Sequence, residues 1–142
     1  VQESGMHREA ANGIGVHVSV EPRDLEVSGD PERIHQVVAN LLDNAIRHSP
    51  ASGSVVLRAA ARSGQVSIEV GDQGPGIPPE DTDRVFERFY RADRARSSTD
   101  GGSGLGLSIA RWIVDLHGGA IRAEPNMPRG TRMVVSLPGG DR

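Results

Sequence analysis

The sequence predicts an α/β fold in which helices cover one face of a single mixed sheet. Segments that alternate apolar and polar residues are typical of strands, and they are interleaved with segments whose apolar residues recur at helical spacing. The chain has 142 residues, which is the usual size of one domain. We expect a two-layer sandwich with about five strands and about three helices.

The N-terminal part predicts a connector followed by a first strand. Residues 1–14 are interpreted as a connector from an upstream domain, with a helix end closed by Gly13, so that residues 15–142 form the domain itself. Val16–Val20 alternates like a strand, and Leu25–Val27 like a short partner strand.

The next segment predicts an amphipathic helix. Asp30 and Pro31 provide an acidic N-cap and a proline at the first helical position. The helix should end near His48, before Pro50. Its apolar face consists of Ile34, Val37, Val38, Leu41 and Ala45.

A hairpin and a turn region follow. Val55–Ala61 and Val66–Val70 read as strands joined at Arg62–Gly64. Prolines 75, 78 and 79 indicate a rigid turn, and Asp83–Phe89 a short helix.

The C-terminal part predicts a loop, a helix and two strands. Residues 91–103 have hardly any apolar side chain, so we expect a mobile loop whose amides exchange readily in the free protein. A helix capped by Gly118 and Gly119 follows, and strands Ala120–Glu124 and Thr131–Leu137 close the domain. The predicted apolar face of this helix consists of Leu105, Ile109, Trp112, Ile113 and Leu116.

Composition excludes several classes of protein. The formal charge of −3 argues against a nucleic-acid-binding protein. No apolar run approaches the roughly 20 residues that a membrane-spanning helix needs. The chain has no cysteine, and its five histidines do not fall at zinc-ligand spacing.

The first helix also has a polar stripe, which we place opposite its core face. The stripe consists of Arg33, Gln36, Asn40, Asn44 and Arg47. A solvated face is the ordinary explanation, but two asparagines one turn apart are poor helix formers with no capping role here. Their carbonyl oxygens are hard, neutral ligands that suit Mg²⁺.

Two glycine-containing segments suit a nucleotide. In Asp72–Gly76, a carboxylate after an apolar strand can accept the exocyclic amine of adenine, and glycines allow the base to approach the backbone. Gly102–Gly106 precedes a helix whose first amides can bind phosphate. The ordinary alternatives are a simple turn and a flexible linker. Neither a Walker motif nor a Gly-x-Gly-x-x-Gly motif is present.

Asn40–His48, Asp72–Gly76 and Gly101–Leu107, in this order, resemble the ATP-binding catalytic domain of bacterial sensor histidine kinases. The resemblance extends over roughly Val16–Pro138 and implies the Bergerat-type ATP-binding fold of the gyrase, chaperone, histidine kinase and mismatch-repair superfamily. It also implies ATP and Mg²⁺ as ligands.

The resemblance implies a role for each motif residue. It places Asn44 as the Mg²⁺ ligand, Asn40 beside the phosphates, Arg47 as a phosphate-binding cation and His48 in the adenine wall, although an ordinary helix-end histidine is an open alternative. No residue of this chain is expected to act catalytically beyond positioning ATP. The expected nucleotide-binding residues are Asn40, Asn44, Arg47, His48, Asp72, Gly74, Gly76, Ile77, Phe89, Arg91, Gly102, Ser103, Gly104, Leu105, Gly106, Leu107 and Thr131.

An aromatic segment precedes the predicted loop. In the family such a segment leads into a lid over the nucleotide, whereas a satellite core is the alternative. The aromatic residues are Phe86, Phe89 and Tyr90, and Arg88, Arg91 and Arg94 are equal candidates to reach phosphate.

The phosphoacceptor is expected on another domain, because no histidine of this chain lies in a His-Glu-Leu-Arg-Thr-Pro-like context. The resemblance implies that this domain gives a phosphoryl group to its own dimerisation domain, with a response regulator downstream. We expect a monomeric fragment of a homodimeric protein, in the cytoplasmic part of a membrane sensor.

Two alternatives remain. ATP-hydrolysing members of the superfamily, and the anti-sigma serine kinases, have a glutamate one turn before the magnesium-binding asparagine, where this chain has Asn40. An amide is no general base. A regulatory nucleotide-binding module without transfer activity is the second alternative.

Overall fold

The computed structural model describes residues 4–9, 14–21, 29–50, 53–87, 105–127 and 129–139. Six strands form one sheet: β1 (Ser4–Glu9), β2 (Gly15–Glu21), β3 (Ser54–Arg62), β4 (Gln65–Gly71), β5 (Ala120–Pro125) and β6 (Thr131–Pro138). Their order in the sheet is β1-β2-β3-β4-β6-β5. β2 and β3 pair in parallel, and the other neighbours are antiparallel, so the predicted mixed sheet is confirmed.

The helix end expected within the first 14 residues is wrong, because Ser4–Glu9 form an edge strand. β1 runs antiparallel to β2, with Ser4 opposite Val20 and Glu9 opposite Gly15. The strand pairs with backbone groups that β2 would otherwise leave open at the sheet edge. This tertiary pairing adds a sixth strand to the predicted five. The predicted strand Leu25–Val27 lies outside the described residues.

Helix α1 (Pro31–His48) begins and ends where the sequence predicts. The Asp30 carboxylate accepts a hydrogen bond from the backbone N–H of Glu32 at 3.0 Å, which caps the first turn. Val37, Leu41 and Ala45 are fully or almost fully buried. α1 forms the crossover between the parallel strands β2 and β3, and it therefore lies on the sheet face that holds the core.

Helix α2 (Gly106–Leu116) buries only part of the predicted face, namely Ile113, together with two residues that were not predicted. Its buried residues are Ala110, Ile113 and Val114, whereas Ile109, Trp112 and Leu116 are 38%, 54% and 59% exposed. Sequence periodicity predicted the helix but not which of its apolar positions would be covered.

The region after Pro78 contains two 3-10 helices, Pro79–Asp81 and Arg84–Phe86. The second lies where a short helix over Asp83–Phe89 is predicted, and residues 88 and 89 of that range lie outside the described residues. Phe86 is buried in the core, as the satellite-core alternative requires. Phe89, Tyr90, the three arginines considered for phosphate and the predicted mobile loop lie outside the described residues.

The core lies between the helices and one face of the sheet, as the predicted two-layer sandwich requires. Every second residue of the central strands points into it: Val55 and Leu57, then Val66, Ile68 and Val70, then Met133, Val135 and Leu137. In the described ranges, two α-helices cover this face rather than about three. Neither has the length and apolar character required to cross a membrane.

Candidate nucleotide-binding site

The Asp72 side chain lies directly after β4 and is only 3% exposed. Its Oδ1 atom accepts hydrogen bonds from the backbone N–H groups of Gly74 at 2.9 Å and Thr131 at 3.1 Å. Its own N–H donates to the Thr131 carbonyl at 2.9 Å. Within the described part of the chain, Oδ2 accepts no hydrogen bond, so one carboxylate oxygen is engaged and the other is available.

The surroundings of Asp72 raise its pKa above the ordinary value. Burial is the largest cause and disfavours the charged form, while the amides of Gly74 and Thr131 and the nearby His48 oppose it. Burial thus leaves the charged carboxylate poorly solvated, so a donor that enters the site can stabilise it.

Glycines let three segments approach each other around Asp72. A Cβ atom on Gly74 would lie 2.3 Å from the carbonyl oxygen of His48, the last residue of α1. A Cβ on Gly130 would lie 2.0 Å from the Asp72 carbonyl oxygen. Gly76 has a φ of +88°, which favours glycine. The end of α1 and the β5–β6 connection therefore both pack closely against the turn after β4.

The Asn40 amide joins α1 to the start of α2. Its Nδ2 donates to the backbone carbonyl of Gly106 at 3.1 Å, and its Oδ1 accepts from Gln36 Nε2 at 3.1 Å. The first-turn N–H groups of an α-helix have no acceptor within the helix, and the helix dipole makes them attractive to anions. Asn40 thus lies beside an amide cluster of the type that binds phosphate.

Asn44 lies in the protein interior, not on a polar stripe opposite the core as predicted. It is only 9% exposed, and its amide makes no side-chain hydrogen bond to any residue that the structure describes. In the described ranges, the fully buried side-chain atoms without a hydrogen-bond partner are Ser49 Oγ and Arg132 Nε, and the Asn44 amide is not one of them. An amide oxygen that no described side chain engages can serve as a ligand for a group from outside the chain.

Arg47 forms an ion pair with Asp43, with 2.7 Å between Nη2 and Oδ2. The pair is one helical turn apart and largely exposed, and such pairs contribute little stability. Arg47 can exchange this partner for a phosphate at small cost in free energy. Its role in phosphate binding stays a prediction.

The structure brings most described candidates into two groups joined by α1. His48, Asp72, Gly74, Gly76 and Thr131 meet at the turn after β4, and Asn40 meets Gly106 at the start of α2. Ile77 and Leu107 are half-buried against the core, and the Leu105 carbonyl accepts from Ser108 Oγ at 2.9 Å. Candidates outside the described residues are Phe89, Arg91, Gly102, Ser103 and Gly104.

Three polar residues that hold this site were not predicted from sequence patterns. Asn126 Nδ2 donates to the Asp72 carbonyl at 2.8 Å, and Arg129 Nε to the Gly74 carbonyl at 3.1 Å. Gln73 accepts from the Ser54 N–H at 2.9 Å. Asn126 and Arg129 belong to a turn that the sequence predicts, but their partners lie more than 50 positions away.

Comparison with known proteins identifies the family. Residues 29–141 match the histidine kinase-, DNA gyrase B- and HSP90-like ATPases. The sensor-like histidine kinase SenX3 of Mycobacterium tuberculosis is 41% identical over 133 residues, which are 93% of this chain and 32% of that protein. The chain thus spans about a third of the length of this relative.

Two solved structures are similar in fold. The mycobacterial sensor histidine kinase MprB superposes with a TM-score of 0.78 at 39% identity, over 91% of this chain and 84% of that one. Full-length ShkA in complex with AMPPNP has a TM-score of 0.78 at 29% identity, over 92% of this chain and 27% of that one. This chain therefore belongs to the histidine kinase-, DNA gyrase B- and HSP90-like ATPases, and within them to the catalytic domains of sensor histidine kinases.

Proposed function

We propose that this domain binds Mg-ATP and gives the γ-phosphoryl group to a histidine on a separate dimerisation domain. The observation that supports it best is the buried Asp72 carboxylate, which has Oδ1 engaged by two amides and Oδ2 available to accept from the adenine amine. The AMPPNP in the ShkA complex, an ATP analogue, agrees with this ligand class.

The two residue groups suit the two ends of a nucleotide. His48 and Asn40 are eight residues apart on α1, which corresponds to about 12 Å along the helix axis. The base would lie at the Asp72 end, and the phosphates would lie at the first turn of α2, beside Asn40 and Gly106. One helix would thereby set the distance between base recognition and phosphate binding.

Asn44 fits a magnesium site. Its buried amide has no partner among the described residues, and Mg²⁺ bound to a nucleotide needs few protein ligands because phosphate oxygens and water complete its coordination. No cluster of three His, Asp or Glu residues that could hold a metal occurs in the described ranges. Bound Mg²⁺ would neutralise phosphate charge during transfer.

Phosphoryl transfer is the proposed reaction, in preference to hydrolysis. Asn40 stands where hydrolytic relatives have a water-activating glutamate, and both polar atoms of its amide are already hydrogen-bonded. The acceptor imidazole would attack the γ-phosphate in line, and this domain would contribute positioning and charge neutralisation.

The parent protein is proposed to be a homodimeric sensor kinase with a response regulator as its downstream partner. Residues 1–14 would lead from the acceptor domain, and the catalytic domain would lie in the cytoplasm. The fragment itself would be monomeric.

A phosphotransfer assay tests this function. The domain is mixed with [γ-³²P]ATP, Mg²⁺ and a separately produced acceptor domain, and label on histidine is measured with wild-type protein and with Asn44→Ala. We expect label that requires both the acceptor and Asn44. Tight ATP binding without any transfer would instead support the regulatory module.

A further inference from the structure

We propose that Asn126 and Arg129, in the turn between β5 and β6, are positioning residues that orient Asp72 and thereby set the preference for adenine over guanine. The inference rests on the proposed function and assigns a role to residues beyond the expected binding set. We call the described residues of this connection, Asn126, Met127, Arg129 and Gly130, the clamp turn.

Asn126 holds the backbone at the base of Asp72. Its Nδ2 donates to the Asp72 carbonyl at 2.8 Å, and its own N–H donates to Gly130 at 3.0 Å, which closes the clamp turn. A Cβ on Gly71 would lie 3.0 Å from Asn126 Nδ2, so glycine at that position leaves room for the amide.

Arg129 holds the other side of the same turn. Its Nε donates to the Gly74 carbonyl at 3.1 Å. Asp72 and Gly74 therefore each have their carbonyl bound by a clamp-turn side chain. The amides of Gly74 and Thr131 bind Oδ1 from two directions. With the main chain held on both sides and Oδ1 engaged, Oδ2 has a defined direction.

This arrangement affects base selectivity more than phosphate binding. The clamp turn contacts the segment after β4, whereas the first turn of α2 is joined to Asn40 at a separate contact. ATP and GTP share their phosphates and differ where Oδ2 would meet the base. Loss of the clamp should therefore change the ratio of the two affinities, while a purely structural role would lower both affinities together or lower only the stability.

The test is a calorimetric titration of ATP and GTP with Mg²⁺ into four proteins: wild type, Asn126→Ala, Arg129→Ala and the control Met127→Ala. Met127 belongs to the clamp turn but is 82% exposed. We expect Asn126→Ala and Arg129→Ala each to narrow the ATP-to-GTP affinity ratio by about threefold to tenfold, the effect of one neutral hydrogen bond. Met127→Ala should leave the ratio unchanged.

A double-mutant cycle makes the inference specific to Asp72. In an Asp72→Ala background, Asn126→Ala should cause no further change in the ratio, because the group it orients is gone. If Asn126→Ala does not fold, Arg129→Ala provides the same measurement at an exposed position.

The outcomes separate the two proposals. A wild-type protein that does not distinguish ATP from GTP contradicts the proposed adenine site itself. A selective wild type whose ratio is unaffected by Asn126→Ala and Arg129→Ala overturns only the inference. An additive effect of Asn126→Ala in the Asp72→Ala background also overturns it.

Discussion

Asn40 Nδ2 donates to the backbone carbonyl of Gly106 across 3.1 Å, and this bond joins the middle of α1 to the first residue of α2. The two residues are 66 positions apart in the chain. A Cβ on Gly106 would lie 4.0 Å from the Asn40 side chain, so an added methyl group would just reach van der Waals contact there. The start of α2, where we place the phosphates, is thus positioned by a side chain of α1.

Replacing Asn40 should reduce both stability and nucleotide affinity. Asn40→Ala leaves the half-buried Gly106 carbonyl without this donor, and we expect the free energy of unfolding to fall by about 1 kcal/mol. Gln36→Ala is the matched control, since exposed Gln36 donates to Asn40 and makes no other hydrogen bond to the described part of the site. Urea unfolding and ATP titration measure both effects. Equal losses in the two variants would show that the Gly106 bond has no special role.

Asp72→Ala should reduce ATP affinity more than GTP affinity. Guanine would place an acceptor opposite Oδ2, so wild-type protein should prefer ATP by at least about tenfold, and the variant should narrow this preference. Arg47→Ala should weaken both nucleotides, because it acts on the phosphates. An unchanged ratio in Asp72→Ala would make Asp72 a turn residue only.

The isolated domain should bind ATP and ADP with Mg²⁺ but hydrolyse ATP at little above background. The physical reason is that position 40 holds an asparagine, whose amide cannot act as a general base, instead of a glutamate that could activate water. Steady-state phosphate release is the measurement, with Asn44→Ala as the control for contaminating ATPases. Release that scales with protein concentration and disappears in Asn44→Ala would contradict a transfer-only site.

Gly130→Ala should destabilise the protein much more than Gly64→Ala. Both glycines have positive φ, +104° and +79°, but only a Cβ on Gly130 meets the backbone, at 2.0 Å from the Asp72 carbonyl oxygen. Gly64→Ala meets nothing within 4 Å and should cost about 1–2 kcal/mol through φ alone. Gly130→Ala should cost roughly 2–5 kcal/mol. Thermal unfolding of both variants is the measurement. Similar losses of stability would show that the backbone around Asp72 can shift to make room for the Cβ at position 130.

The raised pKa of Asp72 predicts a pH-dependent contribution to stability. Between the ordinary aspartate pKa of about 3.9 and the raised folded-state pKa, the folded protein binds more protons than the unfolded chain. This contribution to the free energy of unfolding is present at low pH and is lost as pH rises through the window.

Asp72→Asn removes this titration while keeping an oxygen for the Gly74 and Thr131 amides. Its stability relative to wild type should therefore increase as pH rises through the window and then level off. Urea unfolding of both proteins from about pH 4 to about pH 8 measures the difference. A constant difference would show that Asp72 has the same pKa in the folded and unfolded states.

The sequence alone determined the elements whose signals are local. The Asp30 cap, the proline after it and the apolar spacing along α1 predict its ends correctly, because capping and periodicity act within a few residues. The β3–β4 hairpin was predicted for the same reason. The motif residues also pointed to the family before any of their contacts were known.

Only the tertiary structure decided how these elements meet. Exposure of Trp112, burial of Asn44 and pairing of β1 with β2 depend on what lies opposite each residue, which periodicity does not encode. The bonds from Asn126 to Asp72 and from Asn40 to Gly106 join residues more than 50 positions apart. Such contacts form only when the sheet and the helices pack against each other. Local sequence patterns therefore indicated the residues of the site, and packing set their geometry.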